Sequence, residues 1–403
     1  MHVLILDLTH GGDILAEAFL NDGHNVTCVD VYSIATAEAM DALRKKGAEV
    51  SSAVPLNDYD MLVSPAHCPD HFLNGSTYKE RMTFSRAVNL LLNDKRFRIE
   101  VTGVKGKTSC CYLLAHILSI SGKSVFLHTS RGRGPWENRA HNIMGQMSIA
   151  PTSLMKLPLE EYDAMIQEVS LGGSGKADIA VITNLVQDYG IAGSTRKASD
   201  AKADILCDKI NVVSRNEQEF WKKYGERTFY AFGGNVSAVI GMPKLGEPIV
   251  IQISYNGSQR VELNKDYLSL QYLPAIDTVL EICEAMDIPT EDVLEGLRTF
   301  KGVPGRGETH MENGIWHIRE RNPGISHISI GMTLECLKNM DALDNAAVII
   351  DPVNKKVCDK MDMATISGTV SKYGVKMFVT DQEKYPDVSE FSVIVEFIKE
   401  GFQ

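Results

Sequence analysis

The sequence predicts an α/β protein in which helices cover both faces of parallel sheets. Strand-like and helix-like segments alternate along most of the 403 residues. A glycine-rich loop joins one of these strands to a helix, and a second glycine-rich segment, residues 301–307, is typical of an interdomain linker. A chain of this length holds about two or three domains.

The N-terminal segment has the pattern of a strand, a turn, a helix and a second strand. Residues 3–6 and 26–29 are predicted strands, and residues 14–20 have helical spacing. This is the opening of a Rossmann-like unit. The Gly11-Gly12 pair falls short of the dinucleotide fingerprint Gly-x-Gly-x-x-Gly, so a sheet domain that binds a different ligand is favoured.

Further strands and helices are predicted after Phe97 and again after the linker. The predicted strands are 98–102, 164–168, 179–183, 210–213, 229–232, 348–350 and 375–379, and the predicted helices are 108–120, 199–208, 275–286 and a segment around 359–373. The alternation indicates a second α/β unit and a smaller third one.

Composition narrows the class of function. The formal net charge of −11 argues against a nucleic-acid partner. The N-terminus lacks the pattern of a signal peptide, and no apolar run is long enough to cross a bilayer, so a soluble cytoplasmic protein without a membrane partner is expected. The eight cysteines are scattered without a Cys-x-x-Cys pair, and we expect buried reduced thiols.

The strongest local signal is the segment Val101-Thr-Gly-Val-Lys-Gly-Lys-Thr-Ser109, which follows a strand and opens a helix. Glycines there let backbone N–H groups point at phosphate oxygens, and the helix N-terminus favours negative charge. Lys107 is predicted to reach the β- and γ-phosphates of a nucleotide, and Thr108 to ligate Mg²⁺. Valine at position 101 departs from the usual pattern, and the alternative is an ordinary strand–helix turn.

This segment resembles the phosphate loop of the Mur ligase family, although Val104 and Lys105 replace a threonine and an asparagine of that family. Four more segments follow in the family's order: Glu168-Val-Ser-Leu, Thr183-Asn-Leu-Val-Gln-Asp188-Tyr189, Lys202-Ala-Asp-Ile205 and Val303-Pro-Gly-Arg-Gly-Glu308. Tyrosine stands at position 189, where the family has a metal-binding histidine.

The resemblance implies roles for named residues. Glu168 would hold Mg²⁺, Lys202 would be carbamylated and join it, and Arg306 would meet the ATP phosphates across the closed cleft between domains. A solvated lysine at 202 and a surface ion pair at 306 are the alternatives. The residues implied to bind ATP are Gly103, Lys105, Gly106, Lys107, Thr108, Ser109, Asn184, Gln271, Arg306 and Asn322. The implied catalytic residues are Lys107, Glu168, Lys202 and Arg306.

The resemblance also implies an architecture and an activity. The domains would be a Rossmann-like substrate domain (1–95), a central ATP-binding domain (96–300) and a C-terminal Rossmann-like α/β domain (301–403). The chain is most like the archaeal coenzyme F(430) synthetase branch. That branch implies ATP, Mg²⁺ and a nickel tetrapyrrole whose carboxylate becomes an acyl phosphate before ring closure. An amide-forming ligase and a nucleotide-binding regulator are the alternatives.

Basic residues are candidates to bind the carboxylates of such a substrate. Arg131, Arg133, Arg139 and His141 cluster in a Gly/Pro-rich loop, and Arg321 stands where the family has a histidine. A solvated basic loop is an equal alternative. His67-Cys-Pro-Asp-His71 could hold a metal, but Pro69 disturbs helical presentation, and ordinary polar roles are favoured there.

Overall fold

Parallel sheets and helices make up most of the fold, which confirms the predicted α/β class. The computed structural model describes residues 1–355, 361–380 and 385–400. The chain forms two units by its internal contacts: unit 1 comprises Met1–Lys107 and Met147–Ala231, and unit 2 comprises Thr108–Gln146 and Phe232–Gln403. Each unit is described separately below.

The strands are short, and most are buried. In chain order they are β1 (His2–Leu6), β2 (Asn25–Val29), β3 (Glu49–Ser51), β4 (Asp58–Ser64), β5 (Thr77–Thr83), β6 (Arg98–Thr102), β7 (Val125–Thr129), β8 (Gly132–Glu137), β9 (Ala140–His141), β10 (Ala164–Glu168), β11 (Ile179–Ile182), β12 (Gly190–Ile191), β13 (Arg196–Lys197), β14 (Ile210–Ser214), β15 (Phe229–Phe232), β16 (Val236–Ile240), β17 (Ile249–Ser254), β18 (Ser258–Leu263), β19 (Arg306–Glu312), β20 (Ile315–Arg321), β21 (Ala346–Lys355), β22 (Lys376–Val379) and β23 (Val393–Glu400).

The helices connect these strands. They are α1 (Asp13–Asn21), α2 (Ala37–Lys45), α3 (Phe84–Leu91), α4 (Lys107–Ile120), α5 (Ala198–Lys202), α6 (Gln218–Lys222), α7 (Leu273–Ala285), α8 (Thr290–Thr299), α9 (His327–Asn339) and α10 (Met363–Ser371). None of the helices in the described ranges is long and apolar enough to cross a membrane.

Unit 1 begins with a five-stranded sheet in the order β3-β2-β1-β4-β5. All four pairings are parallel, as the predicted Rossmann-like opening requires. Successive residues of β1 face opposite sides, so Val3 and Ile5 join one core cluster and Leu4 and Leu6 join another. Burial on both faces explains why β1 is apolar at every position after its first.

A second parallel sheet in unit 1 carries the predicted nucleotide elements. The strands β14, β11, β6 and β10 lie side by side in that order. Every residue of β6, β10 and β11 is buried. The carboxyl ends of these parallel strands therefore meet at one edge, where the loops that follow them bring side chains together.

Unit 2 contains two antiparallel groups and one mixed sheet. β7 pairs with β8 and β8 with β9, while β16, β17 and β18 form a three-stranded antiparallel sheet. The mixed sheet has the order β19-β20-β23-β21-β22, with an antiparallel pair β19–β20 at its edge and parallel pairs elsewhere.

Several predicted elements need correction. The helix predicted at 199–208 is shorter, because α5 ends at Lys202 and tightens into a 3₁₀ turn over Ala203–Ile205. The strand predicted at 348–350 is the middle of the longer β21. Part of the helix predicted around 359–373 lies outside the described residues, and α10 covers the rest.

The expectation for the thiols is confirmed wherever they are described. Seven cysteines are buried and none of these seven forms a disulfide: Cys28, Cys68, Cys110, Cys111, Cys207, Cys283 and Cys336. The eighth, Cys358, lies outside the described residues.

Candidate active site

The glycine-rich loop of residues 103–109, called the phosphate loop below, runs from β6 into α4. Gly103 has a φ of 139°, and a Cβ there would lie 2.0 Å from the hydroxyl oxygen of Thr183. Both facts require glycine at position 103, because the backbone is left-handed and the neighbouring residue is in contact. Gly106 also has a positive φ, of 81°. The sequence departure at position 101 is therefore accommodated, since Val101 is a buried strand residue.

Residues at the end of β11 brace the phosphate loop. The Lys105 carbonyl accepts hydrogen bonds from Thr183 Oγ1 at 2.6 Å and from Asn184 Nδ2 at 2.9 Å. Lys105 N in turn donates to Asn184 Oδ1 at 3.2 Å. The side-chain amide of Asn184 thus both donates to and accepts from the backbone of Lys105. Asn184 was expected to bind nucleotide, and here it fixes the backbone that would do so.

Two lysine side chains converge on one carbonyl of the phosphate loop. Lys107 Nζ donates to the Gly103 carbonyl at 3.2 Å, and Lys202 Nζ donates to the same oxygen at 2.9 Å. Lys202 also donates to the Ser170 carbonyl at 2.8 Å. Its side chain is only 1% exposed, so the alternative of a solvated surface lysine is wrong.

Burial lowers the pKa of Lys202 well below its usual range, and the nearby charge of Lys107 lowers it further. The carboxylates of Asp188 and Glu168 oppose only part of this effect. A lysine in this position is therefore easily deprotonated. The neutral amine is also the form that can react with carbon dioxide.

Acidic side chains lie near the same sheet edge. Glu168 is the last residue of β10, beside Val101 of β6, and is 3% exposed, so it is not the solvated charge that a lone strand-end glutamate suggests. Asp188 accepts hydrogen bonds from the backbone N–H and the hydroxyl of Ser199, both at 2.9 Å. Tyr189, which replaces the metal-binding histidine of the Mur ligases, is 38% exposed.

In unit 2, the linker arginine reaches the first turn of α4. Arg306 Nη2 donates to Thr108 Oγ1 at 3.1 Å. Arg306 follows a turn in which Gly305 has a φ of 69°, and its backbone N–H bonds to the Val303 carbonyl at 2.9 Å. The tight linker turn therefore directs the Arg306 side chain to Thr108. That Arg306 meets the ATP phosphates across a closed cleft stays a prediction.

Several buried polar side chains lie around Arg306 within unit 2. Glu320 lies opposite it across the β19–β20 pair, and Thr333 donates to Glu320 Oε1 at 3.4 Å. Gln271 Nε2 donates to Thr333 Oγ1 at 3.2 Å. Among the described residues, Arg306 Nε and Gln271 Oε1 are buried without a hydrogen-bond partner. Such atoms are rare in folded proteins and are consistent with a site for a polar ligand.

Glu320 was not identified from the sequence as a functional residue, although it lies in the segment Ile318–Pro323 that departs from the Mur ligases. Burial raises its pKa to about 7, although the charge of Arg306 and hydrogen bonds from Gln271 and Thr333 oppose the rise. The sequence signal that could have identified Glu320 is an acidic residue between two arginines on one strand. Period-two alternation turns the Glu320 side chain to the opposite face from Arg319 and Arg321.

The raised pKa of Glu320 predicts a pH dependence of stability. The carboxyl group binds its proton more tightly in the folded chain, so its contribution to the free energy of unfolding is complete below about pH 4.5 and is lost as the pH rises through about 7. The slope is at most about 1.4 kcal/mol per pH unit. We expect Glu320→Gln to remove this component when chemical denaturation is followed from pH 5 to pH 8.

The exposed carboxylate of Glu312, on the neighbouring strand, provides the matched control. Glu312→Gln should keep the pH profile of the unsubstituted chain. If the free energy of unfolding changed with pH in the same way in the unsubstituted chain and in Glu320→Gln, the raised pKa assigned to Glu320 would be contradicted.

The basic residues predicted to bind substrate are each engaged within unit 2. Arg131 Nη1 donates to the Pro304 carbonyl at 2.7 Å, and Arg139 lies 3.6 Å from a carboxylate oxygen of Glu295. The guanidinium of Arg133 lies 5.3 Å from the centre of the Phe126 ring. Each of the three arginines has a different partner, so a common carboxylate site at these arginines stays a prediction.

His141 is a structural group in this arrangement. Its Nδ1 lies 2.9 Å from Tyr112 OH, and its Nε2 lies 3.2 Å from the Leu127 carbonyl. Burial lowers its pKa to about 4, with a further contribution from the charge of Arg131. A neutral ring with both nitrogens engaged offers no positive charge to a substrate at neutral pH.

Arg321 and Asn322, which were predicted to contact substrate and nucleotide, also have partners. Arg321 forms an ion pair with Glu400, and its Nε donates to Glu400 Oε2 at 2.8 Å. Asn322 is 5% exposed, and its Oδ1 accepts from Gly324 N at 3.0 Å. Arg321 therefore joins β20 to β23, and Asn322 shapes the turn that precedes α9.

Comparison with known proteins extends these observations. No protein-family model matches the chain. A coenzyme F(430) synthetase from Methanosarcina acetivorans is 29% identical over 92% of this chain and 88% of its own length. Another coenzyme F(430) synthetase, from Methanocaldococcus jannaschii, is 25% identical over 93% of this chain and 89% of its own length.

The fold has a counterpart among solved structures. The MurF ligase from Thermotoga maritima in complex with ADP superimposes with a TM-score of 0.58, covering 94% of this chain and 91% of that one at 12% identity. Structural likeness at such low identity shows a shared fold. The sequence similarity to the synthetases extends over most of this chain and most of each synthetase.

Proposed function

We propose that the chain, which has a Mur ligase-like fold and is most like the coenzyme F(430) synthetase branch, is an ATP-dependent ligase that closes a carbocyclic ring of a nickel tetrapyrrole. A carboxylate oxygen of seco-F(430) attacks the γ-phosphorus of ATP, which gives an acyl phosphate and releases ADP. A macrocycle carbon then loses its proton and attacks the acyl carbon. Phosphate leaves, and the product is a cyclic ketone.

The observation that carries the ligase assignment is the convergence of Lys107 and Lys202 on the Gly103 carbonyl. Phosphoryl transfer depends mainly on positioning and on neutralising charge at the transferred group. Lys107 supplies positive charge at the start of α4. A regulator that only senses nucleotide needs no second, fully buried lysine at this place, so the arrangement favours an enzyme.

Arg306 and Gln271 extend the proposed nucleotide site. The guanidinium of Arg306 already holds Thr108, the residue after Lys107 in the chain, and its buried Nε has no partner among the described residues. A permanently charged guanidinium suits the phosphates of ATP. Gln271, with its unpaired buried Oε1, and Asn322 are proposed on the nucleotide side.

The donor set suits Mg²⁺, which prefers oxygen ligands. Glu168 offers a buried carboxylate, Thr108 a hydroxyl, and Lys202 would offer a carbamate oxygen after reaction of its neutral amine with carbon dioxide and loss of a proton. Mg²⁺ would neutralise charge on the phosphates. The replacement of histidine by Tyr189 argues against a second metal ion held at that position.

Two measurements separate the proposal from its alternatives. We expect ADP release to require a carboxylate substrate and the absorption spectrum of seco-F(430) to change as the ring closes. ADP release that depends on both an amino acid and a different carboxylate would instead identify an amide-forming ligase. Slow ATP hydrolysis, unaffected by any carboxylate in a panel, would identify a nucleotide-binding regulator.

A further inference from the structure

Two histidines follow the ends of the two central strands of the N-terminal sheet. β1 ends at Leu6 and is followed by His10, and β4 ends at Ser64 and is followed by His67. The strand order β3-β2-β1-β4-β5 reverses direction between β1 and β4. Parallel sheets bind ligands in the crevice beyond the carboxyl ends of the strands at such a reversal point. The topology therefore places both histidines where a ligand is expected.

The side chains converge as well as the backbone. Asp7, His10 and His67 each offer one ligand atom, and these atoms all lie within 4.8 Å of one another. The imidazole rings of His10 and His67 are 5.1 Å apart between centres and nearly perpendicular. Neutral imidazole is a common ligand of zinc, nickel and related divalent ions.

Asp7 holds His10 in place. Its carboxylate is fully buried and accepts hydrogen bonds from the backbone N–H and hydroxyl of Thr9, at 2.8 and 2.7 Å. The same carboxylate is bonded to Nδ1 of His10. A carboxylate that bonds to one ring nitrogen of a histidine orients the ring for a metal ion at the other nitrogen.

A small cavity adjoins the two histidines. Its volume is about 60 Å³, and its lining includes His10, His67 and Ser170. This space holds an ion with a few water molecules, but it does not hold a macrocycle. The Ser170 carbonyl accepts the hydrogen bond from Lys202 Nζ at 2.8 Å. Ser170, which lines the cavity, is therefore also a contact of the proposed catalytic lysine.

We propose that His10 and His67 bind a divalent transition-metal ion, with Asp7 as the residue that positions His10. The ion has two possible sources: a free cation such as Ni²⁺ or Zn²⁺, or the metal centre of a tetrapyrrole lying over the mouth of the cavity. The second source rests on the proposed function, and the first does not. In either case the metal lies within the proposed substrate domain, residues 1–95, near the carbonyl held by Lys202.

Calorimetric titration of the untagged full chain with Ni²⁺, in excess Mg²⁺, tests the site. We expect one Ni²⁺ per chain, and His67→Ala to weaken its binding at least tenfold. Asp7→Asn should weaken binding by about 10- to 100-fold, as loss of an orienting carboxylate does. His71→Ala is the matched control, because His71 is exposed in the same loop and lies outside the group. Equal Ni²⁺ affinities for the unsubstituted chain and His67→Ala would overturn the proposal.

X-ray absorption of the Zn²⁺-loaded unsubstituted chain gives a readout that needs no variant. Scattering from two imidazole ligands would support the site, and a shell without imidazole would overturn it. A shift in the absorption bands of a nickel tetrapyrrole on addition of the chain, lost in His67→Ala, would assign the metal to the substrate. Ni²⁺ binding without that shift would assign a free ion. Ni²⁺ binding without ring closure would disprove only the proposed function.

Discussion

Lys107→Ala should abolish ATP turnover while leaving the fold intact. The substitution removes the positive charge at the first position of α4, which the proposed function places beside the transferred phosphate. Loss of one such charge-stabilising group costs about 10²- to 10³-fold or more in turnover. The side chain makes a hydrogen bond to the Gly103 carbonyl at 3.2 Å, so only a small change in melting temperature is expected. Steady-state ADP release and thermal melting measure both effects.

Lys123→Ala is the matched control for this experiment. Lys123 lies three residues beyond the C-terminal end of α4, so its replacement removes the same charge outside the phosphate loop. Its turnover should stay near that of the unsubstituted chain. Near-normal turnover in Lys107→Ala would mean that residues 103–109 are an ordinary strand–helix turn.

Lys202 is expected to be needed in a modified form. Lys202→Ala should lose at least about 100-fold in activity, because it removes both the proposed metal ligand and the contacts with the phosphate loop. Lys202→Glu should recover part of that loss, since a carboxylate replaces the proposed carbamate. Carbamylation of Lys202 also predicts that ¹³C-labelled bicarbonate gives a carbamate carbon resonance in the unsubstituted chain and none in Lys202→Ala.

Lys222→Ala, which alters an exposed lysine of unit 1, should keep both the activity and the resonance. The carbamate proposal fails if Lys202→Ala shows the same ¹³C resonance as the unsubstituted chain. It also fails if the activity of the unsubstituted chain is unchanged after removal of carbon dioxide.

The elements predicted best are those in which local pattern and tertiary burial agree. β6 and β10 have the predicted bounds and are buried at every position, although polar residues such as Glu100 and Gln167 interrupt their apolar pattern. The phosphate loop follows from its glycines and Lys-Thr pair. The antiparallel strands β16 to β18 were missed. Their alternating pattern, as in Ile249, Ile251 and Ile253 of β17, is easily overlooked in a chain dominated by parallel strands.

Beyond the phosphate loop, the candidate site could be predicted only where the resemblance supplied it. Lys202 donates to a carbonyl that is 99 residues away in sequence, and Arg306 to a hydroxyl that is 198 residues away. No local pattern encodes such contacts. Neighbours in sequence also diverge in space: Arg131 and Arg139 have separate partners, whereas His10 and His67 come together because β1 and β4 are adjacent.

The central claim is that a carboxylate is activated by phosphorylation, and oxygen transfer tests it most directly. A substrate labelled with ¹⁸O in the reacting carboxylate would be turned over with ATP and Mg²⁺, and the released phosphate would be analysed by mass spectrometry. An acyl phosphate intermediate predicts one ¹⁸O atom in each phosphate formed, because the carboxylate oxygen that attacks ATP leaves with the phosphoryl group. Product formation with unlabelled phosphate would contradict the claim.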